Sequence, residues 1–172
     1  KNKVFLKESV IKLSTIYQKN IYNNLILLNY EPKLEKFLFW CQQLIAESLG
    51  KKGKGFLPLV SNAPRDHHSL LQLYLDGPKN KIFYIFSKEA SKSLKIKKTK
   101  IIDTRLNFLN NKSLSEIKNA QKNALIKTLK KNNIPYREFR IKNSKEETLG
   151  ELFSHFMIET ILIGKLANVN PF

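Results

Sequence analysis

Four short apolar runs, NLILLNY (24–30), FLPLVS (56–61), KIFYIFS (81–87) and YREFRIK (136–142), alternate with longer stretches whose apolar residues recur every three or four positions. Few architectures accept that order: alternating strands and helices build a layered α/β domain around a mainly parallel sheet. KIFYIFS is the clearest strand. NLILLNY is bounded by an Asn pair and by Glu31-Pro32, which favours a buried strand over an extension of the preceding helix. Pro58 forbids one ladder hydrogen bond in the second run, and the fourth alternates as a half-exposed strand does.

The helical stretches carry their own punctuation. Residues 8–23 place Val10, Leu13, Ile16, Tyr17 and Ile21 at helical spacing. Pro32 suits the first turn of a second helix, with a stripe of Phe37, Leu38, Cys41, Leu44, Ile45 and Ser48 and a stop at Gly50. KKGKG (51–55) reads as a flexible basic loop. Asp66 is placed to cap a helix from His67 to about Leu75, which Asp76-Gly77-Pro78 ends. Ser113 caps a helix through Lys131, with Glu116 completing a capping box. Residues 146–168 form a long, mostly buried helix. Residues 88–112, rich in Lys and Ser, are expected to make a surface excursion with a short strand near Ile101. The chain contains no internal repeat and no glycine-rich phosphate loop.

Composition narrows the classes further. A length of 172 residues suits one domain, and an apolar content of 42% with 10% aromatics excludes a disordered chain. Cys41 stands alone, which excludes a disulfide framework and a cysteine-rich metal site and points to a reducing compartment. No stretch reaches about 18 consecutive apolar residues. The nearest, 149–167, is interrupted by Glu151, His155, Glu159 and Lys165, so no membrane partner is expected. The opening KNKVFLKESV lacks the apolar core of a signal peptide.

A net charge of +17 invites a nucleic-acid partner, but of the 31 basic residues only Arg65, Arg105, Arg137 and Arg140 are arginine. Base readout and bidentate phosphate contacts favour Arg. Lys, Asn and Ile rising together read instead as compositional drift, and no nucleic-acid partner is expected. The start without Met and the stop at NVNPF read as cut ends, so a piece of a longer protein is expected.

Two segments carry chemistry-bearing residues. Trp40, Gln43, Leu44 and Glu47 share one helix face, and Gln43 and Glu47, one turn apart, can reach one ligand. Glu47 lies in the last turn, where the negative end of the helix dipole makes a carboxylate a stronger base. Lys51, Lys52 and Lys54 stand close enough in sequence to offset that effect. Spacing alone makes a solvated pair on a polar face the commoner outcome. In DHHSLLQLY (66–74), His67 and His68 follow the expected cap, at the end of a helix that disfavours imidazolium. Adjacent helical residues point about 100° apart, so only one histidine faces a given site. Helical metal pairs want a spacing of three or four, which these two lack. His155 reads as a hydrogen-bonded, partly buried histidine rather than a ligand, and Cys41 as a small core residue. The Lys-rich stretch 88–100 has few aromatics to stack bases and reads as a solvated loop.

QQLIAESLGKKGKG (42–55) and LPLVSNAPRDHHSLLQLYLDGP (57–78) together resemble the catalytic motifs of the phosphoglucose isomerase family. LGELFSHFMIETILIGKLANVNPF (149–172) is similar to that family's closing helix and the Asn-Pro-Phe after it, and NLILLNYEPKLEKF (24–37) to its strand-to-helix lead-in. The resemblance covers most of the chain except 88–112. It implies a three-layer α/β/α sandwich of the sugar-isomerase (SIS) type. Residues 1–172 would then be the C-terminal domain of a two-domain enzyme, truncated after Phe172.

The resemblance also assigns roles. Glu47 of ESLGK matches the base that moves a proton between C1 and C2. Gln43 matches a substrate contact. His68 matches the histidine that assists ring opening and is reached from the neighbouring subunit of a homodimer. His67 stands where many relatives have Gln and is not assigned. The family continues past Asn-Pro-Phe to a substrate-contacting Gln and a catalytic Lys. It draws its phosphate-binding residues and a catalytic Arg from a preceding domain. This chain has neither segment, so half a site and an inactive isolated chain are expected. The implied activity is the cytoplasmic interconversion of glucose 6-phosphate and fructose 6-phosphate through a cis-enediol, in glycolysis and gluconeogenesis, with no metal or organic cofactor. The rival is a non-catalytic sugar-phosphate-sensing domain that keeps the fold and the ligand affinity.

Overall fold

The computed structural model of the chain describes residues 2–89, 94–96 and 103–172. Helix α1 spans Asn2–Lys19, α2 Glu35–Leu49, α3 Arg65–Leu75, α4 Leu114–Lys131 and α5 Glu146–Leu166. The strands are β1 Asn24–Asn29, β2 Leu57–Asn62, β3 Lys81–Lys88 and β4 Tyr136–Ile141, and short 3-10 turns occupy Pro32–Leu34 and Thr104–Leu109. The four strands run parallel in the order β2-β1-β3-β4.

Helices cover both faces of this sheet, which gives the three layers. Leu25 and Leu27 of β1, Tyr84 and Phe86 of β3, and Phe139 and Ile141 of β4 pack with α1, α2 and α5. The intervening residues, Ile26 and Leu28 with Phe83 and Ile85, pack on the other face with Tyr74 of α3 and Leu125 and Leu129 of α4. The two central strands are therefore buried on both faces, and that is why they read as unbroken apolar runs. β2 and β4 are the edges. Pro58 is tolerated on one of them, and the other keeps its polar–apolar alternation.

Several boundaries differ from expectation for physical reasons. α1 begins at Asn2 rather than near Glu8 and stops at Lys19, because Asn20 turns left-handed at φ 52°. Ile21, expected on the helix, lies beyond that turn and is 60% exposed. Asn133 (φ 53°) and Asn168 (φ 54°) follow α4 and α5 in the same conformation. Asparagine reaches this region at little cost because its short amide bonds locally. α2 does stop at Gly50 as expected, though without a left-handed turn: its φ is −76°, and what it supplies is space, since a Cβ there would meet the Ala46 carbonyl oxygen at 2.5 Å. The capping box forms as expected, with Ser113 Oγ accepting from Glu116 N at 3.2 Å and Glu116 Oε2 accepting from Ser113 N at 2.7 Å. The strand expected near Ile101 lies outside the described residues. In the described part of 88–112, Lys95 bridges Ser113 in antiparallel fashion.

One buried polar network ties the α1–α2–α5 layer together. Glu159 of α5 accepts from Arg137 Nη1 at 2.9 and 3.0 Å and from Ser9 Oγ of α1 at 2.5 Å. The same Nη1 donates to Tyr84 Oη at 3.2 Å, and the guanidinium lies over the rings of Phe5, Tyr84 and Phe139. Glu159 and the Arg137 side chain are only 4% and 17% exposed, so each charge depends on the other for solvation. Among the described residues, no helix is long and apolar enough to cross a membrane.

Candidate active site

The first candidate segment sits at the end of α2. Phe37, Leu38, Cys41, Ile45, Ser48 and Leu49 form its buried stripe, as the spacing predicts, while Leu44 is only partly buried. Gln43 and Glu47 fall on the opposite, exposed face, and Gln43 Nε2 donates to Glu47 Oε1 at 3.0 Å. That bond occupies one carboxylate oxygen, and among the described residues the other makes no hydrogen bond. Trp40 does not join this polar face. It is half-buried, stacked on Phe37 and edge-on to Phe153, with centroids 5.8 and 4.4 Å away.

The loop after α2 is held by backbone geometry. Gly55 adopts φ 147°, and a Cβ there would approach Gly50 Cα to 2.9 Å, so the loop closes on itself only with glycine at this point. The loop lysines do not turn to Glu47. Lys51 Nζ donates to the carbonyls of Asn170 and Phe172 at 2.5 and 3.0 Å, and Lys52 Nζ to that of Asn168 at 2.7 Å. The end of α2, the KKGKG loop and the residues from Asn168 onward thus form one assembly. Tyr17 Oη of α1 adds a bond to the Leu49 carbonyl at 2.8 Å.

The second segment lies at the start of α3. Asp66 does not cap this helix, which begins one residue before it and has Pro64 at the capping position without a side-chain bond. Its carboxylate instead accepts from the Asn62 backbone N–H at 2.7 Å, from Ser61 Oγ at 3.1 Å and from Arg65 Nε at 2.9 Å. Burial alone would raise the Asp66 carboxyl, but these donors hold it below the usual carboxylate range. The helix therefore starts earlier than the sequence suggests, because the acid is spent on the strand end behind it.

His68 is exposed, whereas His67 is half-buried and shares a 2.7 Å hydrogen bond with Tyr30 Oη. Burial lowers the His67 pKa, with Asp66 partly opposing that shift. Beside them Asn29 Nδ2 donates to Asn62 Oδ1 at 3.0 Å, and Asn62 Nδ2 to Glu35 Oε1 at 2.7 Å. Sequence reasoning missed this polar array. Its only trace is that both strand runs end in asparagine, at Asn29 and Asn62.

The topology sets the two segments apart. α2 leaves the C-terminal end of β1 and returns to the N-terminal edge of the sheet, where Leu57 N donates to Asn23 O at the start of β2. Gln43 and Glu47 therefore belong to the N-terminal edge. α3 begins directly after the C-terminal end of β2, so His67 and His68 belong to the opposite edge. Six-residue strands separate these edges by roughly 17–20 Å. A single chain brings Gln43 and Glu47 together and does not bring His68 to them. Cys41 is a core residue and His155 a partly buried, hydrogen-bonded histidine, as read from the sequence. His155 lies 3.3 Å from Arg137 Nη2, and Cys41 is fully buried, its thiol pushed upward by burial and by Glu159.

No protein-family model matches the chain. Among curated proteins, the glucose-6-phosphate isomerase of Mycoplasmopsis synoviae is 38% identical over 159 residues, which are 91% of this chain and 37% of the relative. The glucose-6-phosphate isomerase of Mycoplasmopsis pulmonis is 38% identical over 86% of the chain and 35% of its own length. The probable glucose-6-phosphate isomerase of Methanococcus maripaludis is 31% identical over 93% of the chain and 36% of its own length. Among solved structures, a hypothetical protein from Thermus thermophilus superposes with a TM-score of 0.82 at 23% identity, covering 95% of this chain and 41% of that one. A glucose-6-phosphate isomerase from Chlamydia trachomatis superposes with a TM-score of 0.72 at 16% identity, covering 93% of this chain and 34% of that one. At those identities the two structures bear on the fold alone. The chain is related in sequence to the glucose-6-phosphate isomerases, and it spans a little over a third of the length of these curated relatives.

Proposed function

We propose that residues 1–172 are the C-terminal, sugar-isomerase-type domain of a two-domain, cytoplasmic glucose-6-phosphate isomerase and carry part of its active site. The observation that carries this reading is the 38% identity over 91% of the chain to the Mycoplasmopsis synoviae enzyme. The exposed Gln43–Glu47 pair supports it, because one carboxylate oxygen is held and the other makes no hydrogen bond among the described residues.

In the proposed reaction, His68 moves the proton that opens the sugar ring. Glu47 then removes the proton on C2 of the open-chain aldose, beside the carbonyl. The C–H electron pair becomes the C1–C2 double bond, and the carbonyl oxygen gains a proton, giving a cis-enediol. Return of the proton to C1, with the C2 hydroxyl giving up its proton as the carbonyl re-forms at C2, yields fructose 6-phosphate, and the proton lost from O2 balances the one gained at O1. A well-placed general base contributes about 10²–10⁴-fold. Gln43 holds Glu47 and contacts the substrate. Positioning and charge stabilisation by the remainder of the longer protein supply the rest.

The separation of His68 from Glu47 supports a homodimer in which His68 crosses to the neighbouring subunit, since the sheet stands between them within one chain. The isolated chain is then expected to be inactive. The test uses the longer protein and follows loss of the C2 proton from glucose 6-phosphate in D₂O by NMR, with wild type beside Glu47→Gln. Exchange and fructose 6-phosphate formation in the wild type, both lost in the variant, are expected. A folded wild type that shows neither would leave a sugar-phosphate-sensing domain as the better reading.

A further inference from the structure

A polar cavity lies at the C-terminal edge of the sheet, between the ends of β3 and β4 and the first half of α4. Its volume is about 230 Å³, and among the described residues Lys88, Glu89, Asn119, Lys122, Asn123 and Arg140 line it. Drug-sized ligand pockets begin at roughly 300 Å³, so this space suits a group of a few heavy atoms rather than a large cofactor.

The cavity has a built wall. Lys122 is 4% exposed, with its ammonium donating to Ser87 Oγ at 3.3 Å and to Glu138 Oε1 at 2.5 Å. Glu138 in turn accepts from Arg140 Nη2 at 3.1 and 3.2 Å. Burial would raise the Glu138 carboxyl, but Lys122 and Arg140 hold it below its ordinary range, so it stays charged and serves as a pin between the two cations. The pin uses only one nitrogen of Arg140. Among the described residues, Nε and Nη1 of Arg140 and the side chains of Lys88, Asn119 and Asn123 make no hydrogen bond. Asn119 and Asn123 are four residues apart on α4 and flank Lys122, so their amides share one helix face with it.

The charges at the cavity are Lys88, Lys122 and Arg140 against Glu89 and the Glu138 behind it. One positive charge is left over, in a chain whose net charge is +17. The unoccupied donors exceed what the two oxygens of a carboxylate accept, and a planar guanidinium beside an ammonium and two amides matches the several oxygens of a phosphate. We propose that this cavity binds the phosphate group of a small phosphate monoester, with Arg140, Lys88 and the Asn119 and Asn123 amides as its donors. The site is distinct from the proposed isomerase residues, since Gln43 and Glu47 lie at the opposite edge of the sheet and His68 follows β2, across β1 from the β3–β4 end.

The test is a titration of the ¹⁵N-labelled 172-residue chain with glycerol 3-phosphate at constant ionic strength. The expected result is saturable shifts confined to the amides of Lys88, Glu89 and residues 119–123. Arg140→Gln and Lys88→Gln, made separately, should each weaken binding by at least roughly fivefold, the scale of one lost charge-assisted contact. Lys12→Gln, an exposed lysine on α1, should leave it unchanged. The two site variants change surface side chains on different strands, so a folded spectrum in either one suffices. Shifts spread over the lysine surface without saturation, or an affinity unchanged in a folded variant, would overturn the proposal.

Discussion

The two faces of the sheet are built from alternate residues of the same strands, yet they solve the packing problem differently. Against α3 and α4 the apolar core is small, with Tyr30 and Tyr74 among its members, and the buried ammonium of Lys122 is paired at its margin with Glu138 and Ser87. Against α1, α2 and α5 it is larger, rich in stacked aromatics, and encloses the Arg137–Glu159 pair with Ser9 and Tyr84. The smaller layer keeps its charge at the rim, where the Glu138 side chain is still 24% exposed. The larger layer encloses its pair, because α1, α5 and the sheet each contribute a partner. The difference teaches that the three-helix face must supply every partner of an enclosed charge, whereas the two-helix face leaves its charge pair a route to water.

The sharpest way to break that contrast is to remove one partner. Glu159→Ala should leave Arg137 charged and buried without its acceptor, and a loss of about 3–5 kcal/mol is expected. Arg137→Met combined with Glu159→Leu should recover much of it, since apolar replacement of both partners is often near neutral. Urea unfolding of the single and double variants measures this, and a double variant as unstable as the single one would contradict the network's character.

A gentler probe uses one histidine on each face. His67 and His155 both have lowered pKa values, in each case chiefly through burial, with Arg137 adding to the effect at His155 and Asp66 or Glu159 opposing it. The folded state therefore resists protonation more than the unfolded chain does. Their contribution to stability should be complete above the unfolded value of about 6.5 and should fall as pH drops below it through the folded values. His67→Gln and His155→Gln should each flatten part of that slope in thermal unfolding between about pH 7 and 5. A slope unchanged in both would show that other groups govern this window.

The smallest effect is expected at the exposed pair. Glu47→Gln should alter stability by no more than about 0.5 kcal/mol, the scale of a surface substitution, because Glu47 is exposed and among the described residues hydrogen-bonds only to Gln43. Loss of exchange activity in the longer protein without loss of stability would mark Glu47 as belonging to chemistry rather than to the fold. A large destabilisation would argue the reverse.

Much of this molecule is legible along the chain, and the boundary of legibility is physical. The central strands, the capping box at Ser113 and the buried stripe of α2 depend on residues within a turn or a pleat of one another, so periodicity reports them. The Gln43–Glu47 bond is legible for the same reason. The network around Glu159 is not, since it joins positions 22 and 150 residues apart. The start of α3 is misread because Asp66 bonds backward to the strand end rather than forward into its own helix. The ends of α1 and α5 come earlier than expected, where Asn20 and Asn168 turn left-handed as glycine is expected to do, while α4 ends at Lys131 as read from the sequence. The relation of Glu47 to His68 is hidden until the direction of each helix across the sheet is known.

The lysine clasp from the KKGKG loop to the residues after α5 has a consequence for the order of assembly. Lys52 and the Asn168 carbonyl it holds are separated by 116 residues. At a synthesis rate of about 5–20 residues per second, roughly 6–23 seconds pass between the emergence of the first and the arrival of the second. During that interval the end of α2 that carries Glu47 has its helix but not its fastening. On a ribosome, this corner of the domain is secured only well after its own residues are made.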